Sequence, residues 1–292
     1  MTARPRRPPA WTVGGLSAEG RRRLRDLPGA NGTQEARVLL RRILGLTDLD
    51  VLAFPERPVP AARARRFLGL IERRTAREPF AYLLGEREFW SIPLDVGPTV
   101  LIPRPETETL VEAVLELAGD GSPVLADIGT GSGAVAVALA TELRESRIAA
   151  TDIRRAALKT ARRNAARHGL SRIEFLAGDL CAPLRRLGPA GRLDILASNP
   201  PYVREAEWRR LEPEVRDYEP KPALVPGPTG LEIIGRLVDE APVWLKPGGW
   251  LALEIGRGQG RAVRSLLRRG WTEVRSWHDL RGIERVIAAR RA

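Results

Sequence analysis

Asn199-Pro200-Pro201-Tyr202 is the segment of this chain best equipped for chemistry. It closes an apolar run (Leu193, Ile195, Leu196, Ala197) that reads as a buried strand. The two prolines remove backbone donors and stiffen the turn, so carbonyl oxygens are left to face a ligand. The Asn199 side-chain oxygen and the Pro200 carbonyl can each accept one N–H of an NH2 group, and Tyr202 offers a flat face to a planar substrate. Such a site suits an amide or an exocyclic base amine. A Pro-Pro turn also serves as plain punctuation between elements, so its meaning depends on what lies upstream.

Upstream, Asp127-Ile128-Gly129-Thr130-Gly131-Ser132-Gly133 ends a second apolar run, beginning at Val124. A strand, a glycine turn and a helix hold nucleoside ligands at a sheet's carboxyl edge, because glycine lets the backbone come close to the ligand. Gly131 to Ala136 fits G-x-G-x-x-A, so by itself the turn suits NAD as well as S-adenosylmethionine. Asp152, ending the next expected strand, is placed to accept both ribose hydroxyls of an adenosine. Asp179, after Gly178, is placed for an adenine amino group with Leu180 packing on the base; an ordinary strand-end Asp fits that position too. Asn199 to Tyr202 decides between the two ligands. NAD would leave that turn idle, whereas a sulfonium methyl donor gives it a planar nitrogen to methylate.

These segments need elements to position them. From Ser17 to about Glu78 the pattern is helical. Ser17-Ala18-Glu19 suits the cap of a helix through Arg25. Glu35–Leu44 sets Ala36, Leu39, Leu40 and Ile43 on one face, and Pro60–Arg77 does so with Ala64, Phe67, Leu68 and Ile71. At Glu88 the pattern turns to strand, through Phe89, Trp90, Ile92, Leu94 and Val96 and again from Val100 to Ile102, with Gly97-Pro98 as the turn of a hairpin. Pro103 to Glu108 opens a helix, with Pro105 and neighbouring acids suited to its N-terminus. From Pro123 strands (124–128, 147–152, 173–176, 194–198, 250–255) alternate with helices (134–143, 154–168, 231–244, 260–269), and two strands close the chain near 272–277 and 285–289. Such alternation implies a parallel sheet covered on both faces. The expected division is 1–87, a helical domain with a flexible tail over residues 1–15; 88–103, a hairpin linker; and 104–292, the catalytic domain.

Composition narrows the classes. The 292 residues suffice for a large domain and a small one. No apolar window approaches a membrane span, and the Arg- and Pro-rich start has no apolar h-region, which argues against secretion and for the cytoplasm. A basic start without acids also fits an organellar leader; a short disordered tail is the plainer reading. One cysteine (Cys181) and two histidines (His168, His278) give no disulfide framework and no metal-ligand spacing. The net charge of +12 is nearly all Arg, spread along the chain, with Lys at 159, 221 and 246. It is weak support for work near RNA or ribosomes and no support for sequence-specific DNA reading.

With these residues in view, the chain resembles the bacterial peptide chain release factor glutamine methyltransferases, the HemK/PrmC family, over nearly its whole length. The matching segments are Arg77 to Gly85, Glu88-Phe89-Trp90, Leu101 to Glu108 (which contains Pro-Arg-Pro-Glu-Thr-Glu), the glycine turn and Asn199 to Tyr202. Further on they are Glu214 to Pro220, Leu245 to Gly249, Leu253-Glu254-Ile255-Gly256 and Asp279 to Val286. Asn-Pro-Pro-Tyr alone is shared with DNA adenine and rRNA guanine methyltransferases; the Pro-Arg-Pro-Glu-Thr-Glu and junction segments are more specific. The resemblance implies an α/β fold: a class I S-adenosylmethionine-dependent methyltransferase, Rossmann-like and doubly wound, with a small N-terminal helical domain and a connecting β-hairpin.

It implies S-adenosyl-L-methionine as donor, with S-adenosyl-L-homocysteine as product. Gly129, Thr130, Gly131, Ser132 and Gly133 would cradle the methionine part, Asp152 the ribose, and Asp179 and Leu180 the adenine, with Asn199 beside them. Leu180 stands where relatives often carry a larger aromatic. Asn199, Pro200, Pro201 and Tyr202 would receive the glutamine of the Gly-Gly-Gln motif of class 1 release factors, with Asn199, Pro200 and Tyr202 in catalytic roles. No metal is implied, and direct nucleic-acid binding is not required. Pro226 to Leu231 departs from the family's usual acidic loop, which has Asp before Gly230. The alternative is an amino methyltransferase acting on rRNA or DNA bases, which the positive charge would suit, although no RNA-binding module is recognisable.

Overall fold

The structure, a computed structural model, describes residues 11–29, 31–268 and 270–292. The chain divides into two compact units, one ending at Leu84 and one spanning Gly85–Ala292. The tail and leader readings for residues 1–10 lie outside the described residues. At residues 11–15 the expected tail is instead ordered: Val13 begins a helix and is buried.

The first unit consists of α1 (Val13–Leu24), α2 (Gly32–Leu44), α3 (Asp48–Ala53), α4 (Ala61–Thr75) and α5 (Phe80–Leu84). Capping explains where they start. The Thr12 side chain accepts from Gly15 N at 3.1 Å, so α1 begins ahead of Ser17, which lies inside it and is not its cap. Asn31 caps α2 through Gln34 N, and Thr47 and Asp50 form a capping box on α3. The apolar faces expected on α2 and α4 meet in one core, where Leu39, Leu40, Phe67 and Ile71 are fully buried.

The second unit opens with a hairpin, β1 (Glu86–Phe89) and β2 (Ile92–Asp95). Its turn is Trp90-Ser91, both at positive φ (54° and 57°), as a two-residue hairpin requires. A turn does form at Gly97-Pro98, where Val100 N donates to Gly97 O at 3.0 Å, but it joins no hairpin, because the expected strand at Val100–Ile102 is not formed. Two contacts hold the actual turn: Trp90 N donates to Glu108 Oε1 at 2.8 Å, and the indole N–H donates to Glu142 Oε1 at 2.7 Å. The Ile102 N–H donates to the buried Glu219 carboxylate at 3.0 Å, not to a strand partner. The hairpin belongs to the core of the second unit, since Phe89 and Leu94 are buried there.

After it come α6 (Glu108–Ala118), β3 (Val124–Ile128), α7 (Ala134–Glu142), β4 (Arg147–Asp152), α8 (Arg155–Arg167), β5 (Ile173–Ala177) and β6 (Leu193–Ser198). Then follow α9 (Glu205–Trp208), α10 (Pro213–Arg216), α11 (Glu232–Trp244), β7 (Leu245–Glu254), α12 (Gly260–Leu266), β8 (Trp271–His278) and β9 (Glu284–Arg291). The sheet runs β5-β4-β3-β6-β7-β9-β8; β5 to β7 are parallel, and β9 inserts antiparallel between β7 and β8. The expected alternation therefore holds, but the sheet is mixed at its C-terminal end. Strand periodicity splits the core: Trp250 and Ala252 of β7 pack with α6 and α7, whereas Leu251 and Leu253 pack with α11 and α12. Strand order reverses between β3 and β6, and a crevice opens outside their C-terminal ends.

Ser91→Gly removes a Cβ from left-handed backbone and is expected to stabilise the protein by about 1 kcal/mol. A denaturation midpoint that stays put or falls contradicts this account of the turn.

Candidate active site

The crevice forms because β3 and β6 are hydrogen-bonded neighbours with Ile128 opposite Ser198. The Ser198 hydroxyl donates to Ile128 O at 2.7 Å, so the two loops leave the sheet side by side. Gly129, Gly131 and Gly133 all have positive φ (75°, 57° and 83°), which only glycine adopts without strain. The turn folds over β4: Gly129 N and Thr130 N both donate to Thr151 O, at 2.9 and 2.8 Å. Thr130 Oγ1 donates to Asp127 Oδ2 at 2.6 Å; burial pushes the Asp127 carboxyl up to about 6. Asp152 is joined to the same turn, accepting from Gly131 N at 2.9 Å and Arg154 N at 2.8 Å. Buried Asn164 of α8 ties the turn to the hairpin. Its Nδ2 donates to Ser132 O (2.8 Å) and Asp95 O (3.0 Å), and its Oδ1 accepts from Asp95 N (2.7 Å).

Two adjacent cavities result. One, of about 50 Å³, is walled by Gly129, Thr130, Gly131, Ser132, Asp127 and Thr107. The other, of about 30 Å³, is walled by Asn199, Pro200, Pro201, Tyr202, Val203 and Leu224. Leu101, Arg104 and Asn199 border both, so Asn199 stands on the partition. A larger cavity lined by Leu125, Arg147, Leu193 and Trp244 opens at the opposite edge of the sheet, and none of the residues proposed for chemistry lines it. The first cavity fits a nucleoside sulfonium in one testable respect. A Cβ on Gly129 would point into open space, and one on Gly131 would meet only Gly129 O at 4.0 Å, so the backbone is bare toward the cavity.

The expected donor residues are not all equally placed. Gly129 to Ser132 and Asn199 share the cavity wall. Gly133 starts α7 behind them, where a Cβ would come within 3.0 Å of Ala161 Cβ. Asp152 reaches the site through Gly131. Asp179 and Leu180 follow β5, beyond β4, and neither lines the cavity. Asp179 is paired with Arg236 at 2.7 Å, an exposed and therefore weak ion pair. Leu180 takes left-handed backbone (φ 41°), its carbonyl accepting from the Thr151 hydroxyl at 3.0 Å.

Behind the Asn-Pro-Pro-Tyr turn lies a polar network for which the motif reading had no role. Asn199 Nδ2 donates to Thr107 Oγ1 at 3.0 Å, and the Tyr202 hydroxyl donates to Glu254 Oε1 at 3.1 Å. Glu254 is 1% exposed. Burial pushes its carboxyl up to about 7, against the pull of the Thr107 and Tyr202 hydroxyls and Arg285. Burial and then the Glu254 charge push the Tyr202 phenol up. Gln259 Nε2 donates to Tyr202 O at 3.0 Å, and its Oε1 accepts from Gly256 N at 2.8 Å. Buried Glu219 pairs with Arg104. The Pro226–Leu231 loop has a concrete part here: Gly230 has φ 76° and backs onto the turn, where a Cβ would lie 2.4 Å from Tyr202 O. The sequence signal for Glu254 was an acid enclosed by Leu253 and Ile255 at a strand end. Thr107 and Gln259 carry no comparable mark.

Cys181 is buried and its thiol is pushed up to about 12 by burial, so it is not a thiolate at neutral pH. Among the described residues no His, Cys, Asp and Glu group could hold a metal, and no helix is long and apolar enough to cross a membrane.

A family model described as PrmC N-terminal domain matches residues 16–85, and one described as Methyltransferase small domain matches residues 105–211. The chain is 42% identical to the release factor glutamine methyltransferase of Nitratidesulfovibrio vulgaris, covering 96% of this chain and 95% of that protein. It is 48% identical to the one from Moorella thermoacetica, over 80% and 82% of the two chains. Among solved structures, the hMettl16 catalytic domain bound to MAT2A 3'UTR hairpin 1 superposes with a TM-score of 0.56 at 17% identity, covering 90% of this chain and 92% of that one. This last likeness is one of fold alone.

Gly230→Ala forces a side chain against the Tyr202 carbonyl in left-handed backbone. It is expected to destabilise by about 2 kcal/mol or more, read as a lowered urea midpoint; a midpoint equal to the parent's contradicts the packing described.

Proposed function

Because this chain belongs to the release factor glutamine methyltransferase family, we propose that its Asn199-to-Tyr202 turn receives the glutamine of a Gly-Gly-Gln motif in class 1 release factors. The chain is an S-adenosylmethionine-dependent methyltransferase, and it methylates release factor glutamine. The observation that carries the site assignment is the position of Asn199 on the wall shared by two cavities, one bordered by the bare backbone of Gly129 and Gly131 and one by Pro200, Pro201 and Tyr202.

In this reading Gly129 to Gly133 hold the methionine part of the donor, Asp152 the ribose, and Asp179 and Leu180 the adenine. Asp179 would exchange Arg236 for the adenine amine, at little cost for an exposed pair. Bound there, S-adenosylmethionine supplies a methyl group on a sulfonium, an excellent leaving group. The residues of the chain do the rest by position. A carboxamide nitrogen is a poor nucleophile because its lone pair is delocalised. Asn199 Oδ1 and Pro200 O accept its two hydrogens, draw charge onto nitrogen and direct the lone pair toward the first cavity. The Tyr202 ring, fixed through its hydroxyl on Glu254, supports the amide plane. Alignment of this kind is worth up to roughly 7–11 kcal/mol. The helical unit and the hairpin recognise the protein partner, the work is cytoplasmic, and it requires no direct contact with nucleic acid. The relatives do not favour the alternative of rRNA or DNA bases as acceptors.

Incubation with labelled donor and separate release factor, rRNA and DNA should place label on the Gly-Gly-Gln peptide of the release factor; label on RNA or DNA alone would overturn the reading. Asn199→Ala should lower kcat by roughly 10²–10³-fold, a much larger loss than that in donor affinity. Turnover equal to the parent enzyme's would remove Asn199 from the mechanism.

A further inference from the structure

We infer that the cavity at the N-terminal edge of the sheet, opposite the catalytic crevice, is a second binding site, built for a small anion carried on an apolar body. Its volume is about 510 Å³, within the roughly 300–1,000 Å³ of small-molecule sites. None of its residues takes part in the methyl transfer, so this site stands or fails separately from that reaction.

Topology assembles it. β5, β4, β3 and β6 are successive parallel neighbours, so their first residues lie along one edge of the sheet. Three of these four strands carry an arginine at or just before their start. Arg172 precedes β5, Arg147 opens β4 and Arg192 precedes β6, and all three line the cavity. The apolar wall comes from Leu125 and Leu193 of the strands and Trp244 at the end of α11. Leu184 and Leu187 complete it, from the short helical turn Ala182–Leu187 in the β5–β6 connection.

Charge narrows the ligand. Among the described residues no carboxylate pairs with Arg147, Arg172 or Arg192. The Arg172 guanidinium donates to Ala140 O and keeps further N–H groups. Asp194, close to Arg192 in the chain, is taken by Val124 N at 2.8 Å and by Lys246. Glu174 is the one acid lining the cavity among the described residues, so the wall is positive. Guanidiniums grip carboxylate, sulfonate or phosphate through forked N–H pairs. Leucine and tryptophan gain by covering hydrocarbon. A bare inorganic anion would leave the apolar wall wet, and a neutral hydrocarbon would leave the arginines without a counter-charge. A molecule with both parts satisfies both.

The probe for the test is 8-anilino-1-naphthalenesulfonate, one sulfonate on a flat apolar body. In the full-length folded protein it should bind saturably by calorimetry and stay bound when S-adenosyl-L-homocysteine is saturating. N-phenyl-1-naphthylamine, a similar body without the charge, should bind roughly tenfold more weakly or worse, and inorganic sulfate should compete poorly. The double variant Arg147→Gln with Arg192→Gln should weaken the probe roughly 10- to 100-fold and leave turnover on release factor unchanged. Leu187→Glu, which sets a like charge on the apolar wall, should weaken it as well. Decanoate and 1-naphthyl phosphate should both displace the probe, the stronger of them telling an aliphatic body from an aromatic one. Equal affinity for the uncharged analogue, unchanged affinity in the arginine variant, displacement by S-adenosyl-L-homocysteine, or failure of both competitors each overturns the site.

Discussion

A neutral carboxamide can be held for attack through its nitrogen only by hydrogen-bond acceptors. Every donor aimed at the same point competes for the wrong atom. That constraint explains the chemistry of the Asn-Pro-Pro-Tyr turn better than any single contact. Pro200 and Pro201 contribute no N–H, and Asn199 contributes an acceptor only if its amide is turned one way. The buried polar groups behind the turn (Thr107, Glu254 and Gln259), with half-buried Tyr202 among them, are costly to bury. Their presence at one strand edge is intelligible as the means of holding that acceptor surface.

The scaffold delivers the two halves of the site by topology. Strand order reverses at β3 and β6, so the loops after these strands meet with no intervening element. α7 is buried along most of its length and built of Ala, Val and Leu, which brings the glycine turn close to the sheet. Asn164 uses both ends of its amide to join that turn to the hairpin. Glu219 joins the Ile102–Arg104 segment to the chain after Asn199, and that segment walls both cavities. The donor side and the acceptor side are thus fixed to each other through buried polar contacts as well as through the sheet.

Much of this was legible in the residues. Apolar runs marked β3, β4 and β6, with Asp152 closing β4 and Asn199 following β6, and the glycines marked the turn. The motif order chose a sulfonium donor over a dinucleotide, and the family resemblance supplied the acceptor. The losses have physical reasons. The hairpin turn at Trp90-Ser91 carries no Gly or Asn, because contacts with Glu108 and Glu142 offset its left-handed strain, so turn chemistry pointed to Gly97-Pro98. Thr12 caps α1 where Ser17 had the more obvious signature. β9 lies antiparallel between β7 and β8, a long-range pairing that local periodicity does not encode. Thr107 and Gln259 became visible only in three dimensions, since ordinary polar residues acquire a role from what they are buried against.

The most direct measurement of the central claim is a structure of the protein with S-adenosyl-L-homocysteine and a Gly-Gly-Gln peptide. The account requires the glutamine side-chain nitrogen to lie about 3 Å from both Asn199 Oδ1 and Pro200 O, with the thioether sulfur across the partition in line with it. A glutamine bound with its oxygen toward Asn199, or seated outside the turn altogether, would contradict it.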